Sequence, residues 1–160
     1  MFKRKLFVIG LTVLAVLVSS VVWVRSSKAT PASGLTIEPI ASGNLPGPID
    51  AKFKTQSGVV HTDVTKITMI KQTITPGGST GWHQHGGPLW VVIASGTVTL
   101  YDGDDPTCTG VAYPRGSSFM DPGNHTHIAR NEGSENVVVY VTFMLPEGGA
   151  TRIDVPFRDK

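Results

Sequence analysis

The chain has 160 residues, with 14 lysines and arginines against 12 aspartates and glutamates and a formal net charge of +2. That length suits one domain and little more. The absence of a basic cluster from the body of the chain excludes an electrostatic nucleic-acid binder. A single cysteine, Cys108, excludes an intrachain disulfide framework.

The first element is a targeting segment. "MFKRK" is a basic start, and the run from Leu6 to Val24 is apolar and uncharged. Lys3, Arg4, Lys5, Arg25 and Lys28 flank it, with no acid among them. This pattern predicts an export signal or an N-terminal membrane anchor over residues 1–29. Ser27 and Ala29 stand at the small-residue positions of a cleavage site, while the run is about long enough to cross a bilayer. Uncleaved, residues 6–24 would contact the membrane. Either way the remainder is expected outside the cytoplasm, secreted, periplasmic or anchored. Without this segment 9 basic residues face 12 acidic ones, a formal balance of about −3.

Residues 30–48, rich in Pro, Gly and Ser, read as a tether that lays an extended segment, Leu35 to Ile40, against a domain spanning 49–160. From Lys66 the chain reads as short strands between turn signals. "KITMIKQTI" is β-prone. "LWVVIA" is a continuous apolar run that suits burial on both faces, and "SG" turns it into "TVTLY" as a hairpin, with Val92 and Val98 in the core. "SSFM", "HTHIAR", "NVVVYVTFML" and "TRIDV" complete the set. No amphipathic helix is evident, and many short strands with Gly and Pro turns predict an all-β sandwich or barrel.

The histidines carry the chemistry. His83 and His85 are two residues apart, as are His125 and His127. On extended chain, residues two apart project to one face. If two strands of a small barrel bring the pairs together, three or four imidazoles converge, a donor set that suits zinc, iron, copper or nickel. His61 stands alone and reads as a surface or strand histidine. The acids of "YDGDDP" read as a solvated tip, with calcium binding the alternative, and Cys108 as a partly covered loop thiol.

The surroundings of the histidines sharpen this. From Gly77 the chain runs Gly, five residues, His83-x-His85, three residues, Leu89, six residues, Gly96. From Gly116 it runs Gly, five residues, Pro122, then Asn124, two residues, His127, three residues, Asn131. This resembles the two motifs of the cupin family, G-x5-H-x-H-x(3,4)-E-x6-G and G-x5-P-x-G-x2-H-x3-N. The resemblance implies a small antiparallel barrel of jelly-roll type and one divalent transition metal ion (Fe, Mn, Zn, Ni or Cu) held by His83, His85 and His127. Two positions depart from it. The family's metal-binding Glu falls at Leu89, which cannot ligate, and the second-motif Gly falls at Asn124, which tolerates a left-handed turn.

Other residues take expectations from their neighbourhood. His125 should project toward the side of His127, as a rim residue, a substrate contact or a donor behind the ligands. Trp82 walls the pocket entrance, while Trp90 packs on the opposite face as core. Asp121 and Tyr101 are the nearest candidates for a general base. The resemblance extends to the three-histidine iron dioxygenases of the cupin superfamily. Three neutral ligands leave the cation's charge uncompensated, so a small anionic molecule is the expected substrate. The alternative is a non-catalytic cupin that binds a small molecule or a metal. A homodimer is a further expectation.

Overall fold

The computed structural model describes residues 30–55 and 58–156. The expected signal or anchor at residues 1–29 lies outside the described residues. Among the described residues no helix is long and apolar enough to cross a membrane.

Ten strands follow in chain order: β1 (Ser33–Thr55), β2 (Gly58–Ser79), β3 (His83–Gln84), β4 (Leu89–Ser95), β5 (Thr97–Asp102), β6 (Val111–Pro114), β7 (Ser118–Asp121), β8 (His127–Arg130), β9 (Val137–Leu145) and β10 (Ile153–Asp154). Every strand pairing is antiparallel. One layer runs β1-β2-β9-β4-β7 and the other β10-β3-β8-β5-β6. The two layers join where Ser79 of β2 pairs with Arg130 of β8. The result is an all-β, nearly closed antiparallel barrel, consistent with a jelly roll.

Burial follows a period of two. On β9, Val137, Val139, Val141, Phe143 and Leu145 are buried and Tyr140 is exposed. On β4, Leu89, Val91 and Ile93 are buried. These residues, with Ile70 and Ile74 of β2 and Val98 of β5, form the hydrophobic core. Non-directional burial of apolar area on this one face stabilises the barrel.

Three expectations are corrected here. "LWVVIA" is not buried on both faces: Trp90 is 44% and Val92 49% exposed. Among the described residues no second layer covers this outer face of β4, so an apolar run reads as fully buried when only alternate residues are. Trp90 is therefore not core; it meets Phe53 edge-on, with ring centroids 6.4 Å apart. Nor do β4 and β5 form a hairpin. β4 pairs with β7 and β9, and β5 pairs with β6 and β8. The chain turns a corner at Gly96 (φ 71°) and changes layer. A Cβ there would stand 2.9 Å from the Asn136 carbonyl oxygen, so glycine is required by both conformation and space.

The segment before Lys66 is also more regular than composition suggests. β1 passes through residues 48 and 49 without a break and pairs with β2 from Leu35 to Thr55. A register shift between Asn44 and Ile49 spans Pro46 and Pro48, which lack the N–H a continuous ladder needs.

Candidate metal centre

His83 on β3 pairs across the ladder with His127, the first residue of β8. Directly opposed residues share a face of the sheet, and His85, two residues on from His83, also reaches the interior. All three are buried, at 4%, 5% and 5% exposure for His83, His85 and His127. Their ring centroids lie 4.5 to 5.0 Å apart. Each offers a ring nitrogen, and the three nitrogens lie within 4.8 Å of one another.

The glycines after His85 explain how it is placed. A Cβ at Gly86 would stand 2.6 Å from the Ala150 nitrogen, and one at Gly87 would stand 2.5 Å from the Met144 carbonyl oxygen. The chain after His85 therefore presses against residues 144–150. That approach sets the Thr151 carbonyl 2.6 Å from His85 Nδ1. Asn124 adopts the left-handed conformation (φ 51°) its glycine-like position requires, and its N–H donates to the His85 carbonyl at 2.8 Å.

All three imidazoles have the same polarity. His83 Nδ1 donates to the Gly81 carbonyl at 2.8 Å and His85 Nδ1 to Thr151. His127 Nδ1 lies 3.0 Å from Asp121 Oδ2 and 3.2 Å from the His125 carbonyl. Carbonyls and carboxylates only accept, so each neutral ring carries its proton on Nδ1 and leaves Nε2 bare. Burial, followed by the neighbouring imidazoles of His127 and His85, pushes the His83 pKa down to about 2. Burial and then His127 push that of His85 down to about 4. Two neutral rings with inward lone pairs, beside a third of the same polarity, are the donor set a transition metal takes, and acceptors behind ligating histidines are what fixes their tautomer. The residues present fit such an ion.

The space beside the imidazoles is a cavity of about 40 Å³, walled by residues including Leu89, Val91, Phe119, Val141 and Phe143. Leu89 thus faces the interior with the histidines. Gln72 of β2 and Thr80 also reach this wall; among the described residues they are its only polar side chains besides the imidazoles. Neither was singled out by the sequence, because an isolated Gln or Thr has no pattern. Phe143, whose ring centroid is 5.4 Å from that of His85, was hidden in an evenly apolar run. The Thr151 carbonyl is a backbone group, which no residue type announces. A larger groove of about 650 Å³, lined by residues including Lys52, Phe53, Trp90 and Met120, contains none of the histidines.

The other expected residues lie around this centre. His125 is half-buried, with Nε2 3.0 Å from Asp102 Oδ1, and forms no part of the cavity wall. Trp82 is buried and likewise absent from that wall. Asp121 is not poised as a general base. It is 4% exposed, Oδ1 accepts the Gly123 N–H at 2.7 Å, and Oδ2 faces His127. Burial opposes its ionisation, but His127 and the Gly123 N–H outweigh it and hold the carboxyl below its usual range. Tyr101 donates its hydroxyl to Glu132 at 2.7 Å, outside the cavity. His61 is not isolated: it contacts Asp50 in an exposed group with Asp63 on the β1–β2 arm. Cys108 is exposed rather than partly covered.

A family model described as a cupin domain matches residues 70–143. Curated proteins include no significant match. Among solved structures, the polyketide cyclase RemF from Streptomyces resistomycificus is similar at a TM-score of 0.55 and 16% identity, over 84% of this chain and 83% of that one. The Cupin_2 domain of an XRE family transcriptional regulator from Enterobacter cloacae gives 0.48 and 14%, over 71% and 99%. A cupin domain from Bordetella pertussis Tohama I gives 0.43 and 24%, over 64% and 97%. The likeness to RemF is one of fold. Both histidine motifs lie inside the matched residues and the barrel forms around them, so residues 70–143 are a cupin domain.

Proposed function

We propose that this chain holds one divalent transition metal ion on His83, His85 and His127 and uses it to bind a small molecule outside the cytoplasm, in the manner of a three-histidine oxygenase. One observation carries the reading: all three Nδ1 atoms are occupied by acceptors, so the Nε2 atoms are presented to a single interior point. Iron, zinc, nickel and copper all suit imidazole. Such an ion, when bound, would supply Lewis acidity and open coordination positions to a substrate oxygen. The chain's own residues do the rest. Leu89 occupies the place of a ligand carboxylate without ligating. Val91, Val141 and Phe143 exclude bulk water, and Gln72 and Thr80 offer hydrogen bonds to what enters. A cavity of about 40 Å³ holds only a few waters or a very small molecule, so a larger substrate would have to reach the site from the rim.

A second reading, a non-catalytic metal or small-molecule binding module, is favoured by one feature. Among the described residues, no titratable side chain other than the imidazoles lines the cavity.

Metal analysis of the purified full chain, stripped and reloaded, tests the site. One equivalent of metal is expected in wild type and none in His127→Ala; equal content in both rejects the site. Oxygen consumption by the iron-loaded protein with small carboxylates separates the enzyme from the module. For location, a reporter active only outside the cytoplasm, fused after Lys160, should be active; activity solely from a cytoplasm-specific reporter rejects export.

A further inference from the structure

Asp121 is the only buried acid among the described residues, and nothing cationic in side-chain type approaches it there except imidazole. A carboxylate taken out of water without a compensating charge is costly. Its two oxygens are both engaged, one by the Gly123 N–H and the other by His127 Nδ1. It also stands directly opposite Leu89 in the β4–β7 ladder. Opposed residues share a face, so the carboxylate lies beside the very position at which the cupin motif carries its ligand Glu.

We propose that Asp121 compensates for the carboxylate that Leu89 lacks, acting from behind His127 rather than on the ion itself. The inference rests on the three-histidine reading of the site. A carboxylate on Nδ1 fixes the His127 ring with Nε2 inward and raises its basicity as a ligand. It also places a negative charge one residue away from the ion instead of in contact with it. Two things follow. The charge of a divalent cation is partly balanced without an acidic ligand, and the coordination position that Glu would fill stays open. Asp121 is thus a positioning residue, and the Leu89–Asp121 pair divides between two strands what a ligand Glu does alone. The same arrangement weakens the argument that only an anionic substrate can complete the site.

The test is a zinc titration by calorimetry on the full chain, with metal-free thermal melts in parallel. Asp121→Asn keeps the shape and removes the charge, and should weaken zinc binding by about 10- to 100-fold. Asp121→Glu keeps the charge and should recover most of that loss. Adding Leu89→Glu to Asp121→Asn should restore the affinity without restoring any lost melting temperature, because the new carboxylate repairs charge and not the lost acceptor for His127 Nδ1: with its amide oxygen on the Gly123 N–H, the Asn side chain turns a donor toward that ring. If the Asn variant does not fold, Asp121→Ser, whose hydroxyl still accepts from Gly123, takes its place. Wild-type affinity in Asp121→Asn, or equal losses in the Asn and Glu variants, overturns the proposal. Absence of zinc binding by wild type would instead overturn the three-histidine reading on which it rests.

Discussion

His85 Nε2 and His127 Nε2 stand 3.3 Å apart, although 42 residues separate them in the chain. With both Nδ1 atoms facing acceptors, the two Nε2 atoms face each other across this gap, and wherever both rings are neutral their lone pairs conflict. A shared cation, whether a proton or a metal ion, relieves the conflict. Removing one imidazole should therefore weaken metal binding by more than about 100-fold, beyond what a residue behind a ligand contributes. Calorimetric titration of His127→Ala should show this, while His61→Ala, on the exposed arm, should bind like wild type. A matching loss in His61→Ala would move the site to the arm.

The metal-free protein should lose stability as pH falls below about 6.5. Unfolded, His83 and His85 take up protons near their ordinary value of 6.5; folded, they resist until about 2 and about 4. Below pH 6.5 the unfolded state thus binds more protons, and the contribution of the neutral rings, complete above that pH, declines toward pH 4. Each ring costs up to about 2 kcal/mol by pH 5. Asp121, with its pKa lowered from 3.8, acts only at still lower pH. Melting temperatures from pH 7.5 to 5 should fall in wild type and flatten in His83→Gln/His85→Gln; an equal slope in both would assign the effect elsewhere.

Two valines of similar sequence setting should respond unequally to one substitution. Val98 is 2% exposed and Val92 49%. Val98→Asp buries an unpaired carboxylate and should cost about 3 kcal/mol or more, whereas Val92→Asp should cost less than about 1. Denaturant unfolding measures both. Similar midpoints for the two variants would contradict the outward placement of Val92 and the inward placement of Val98.

Gly96→Ala should destabilise by about 2 kcal/mol, through the left-handed backbone and the approach to the Asn136 carbonyl. Zinc affinity of the folded variant should remain near that of wild type, since Gly96 is not part of the cavity wall. A variant as stable as wild type would show that the corner between the layers has room to adjust.

Much of the fold and the site is legible in the chain. Short β-prone runs between Gly and Pro turns specify an all-β domain, since no segment from Lys66 onward carries a helical period. His83, His85 and His127 stand out because residues two apart on a strand share a face, and because their spacing to Gly77, Gly96, Gly116 and Asn131 matches a known pair of motifs. Asn124 at φ 51° shows that even the departure from glycine could be read from backbone preference.

Tertiary structure decided what depends on which strand lies opposite which. "LWVVIA" contains no signal for a single buried face, because Trp90 and Val92 are as apolar as Leu89 and Val91; they are exposed because no layer among the described residues covers the outer face of β4. Nor does "SG" say whether two strands pair or part, since Gly96 permits a left-handed corner that serves either outcome. Asp121 reads as a candidate general base until the β4–β7 register sets it beside Leu89 and its carboxylate against His127. Local chemistry is written in residue types and spacing. The partners that neutralise, orient or expose a side chain come from strands distant in sequence, and their identity is settled when the two layers close on one core.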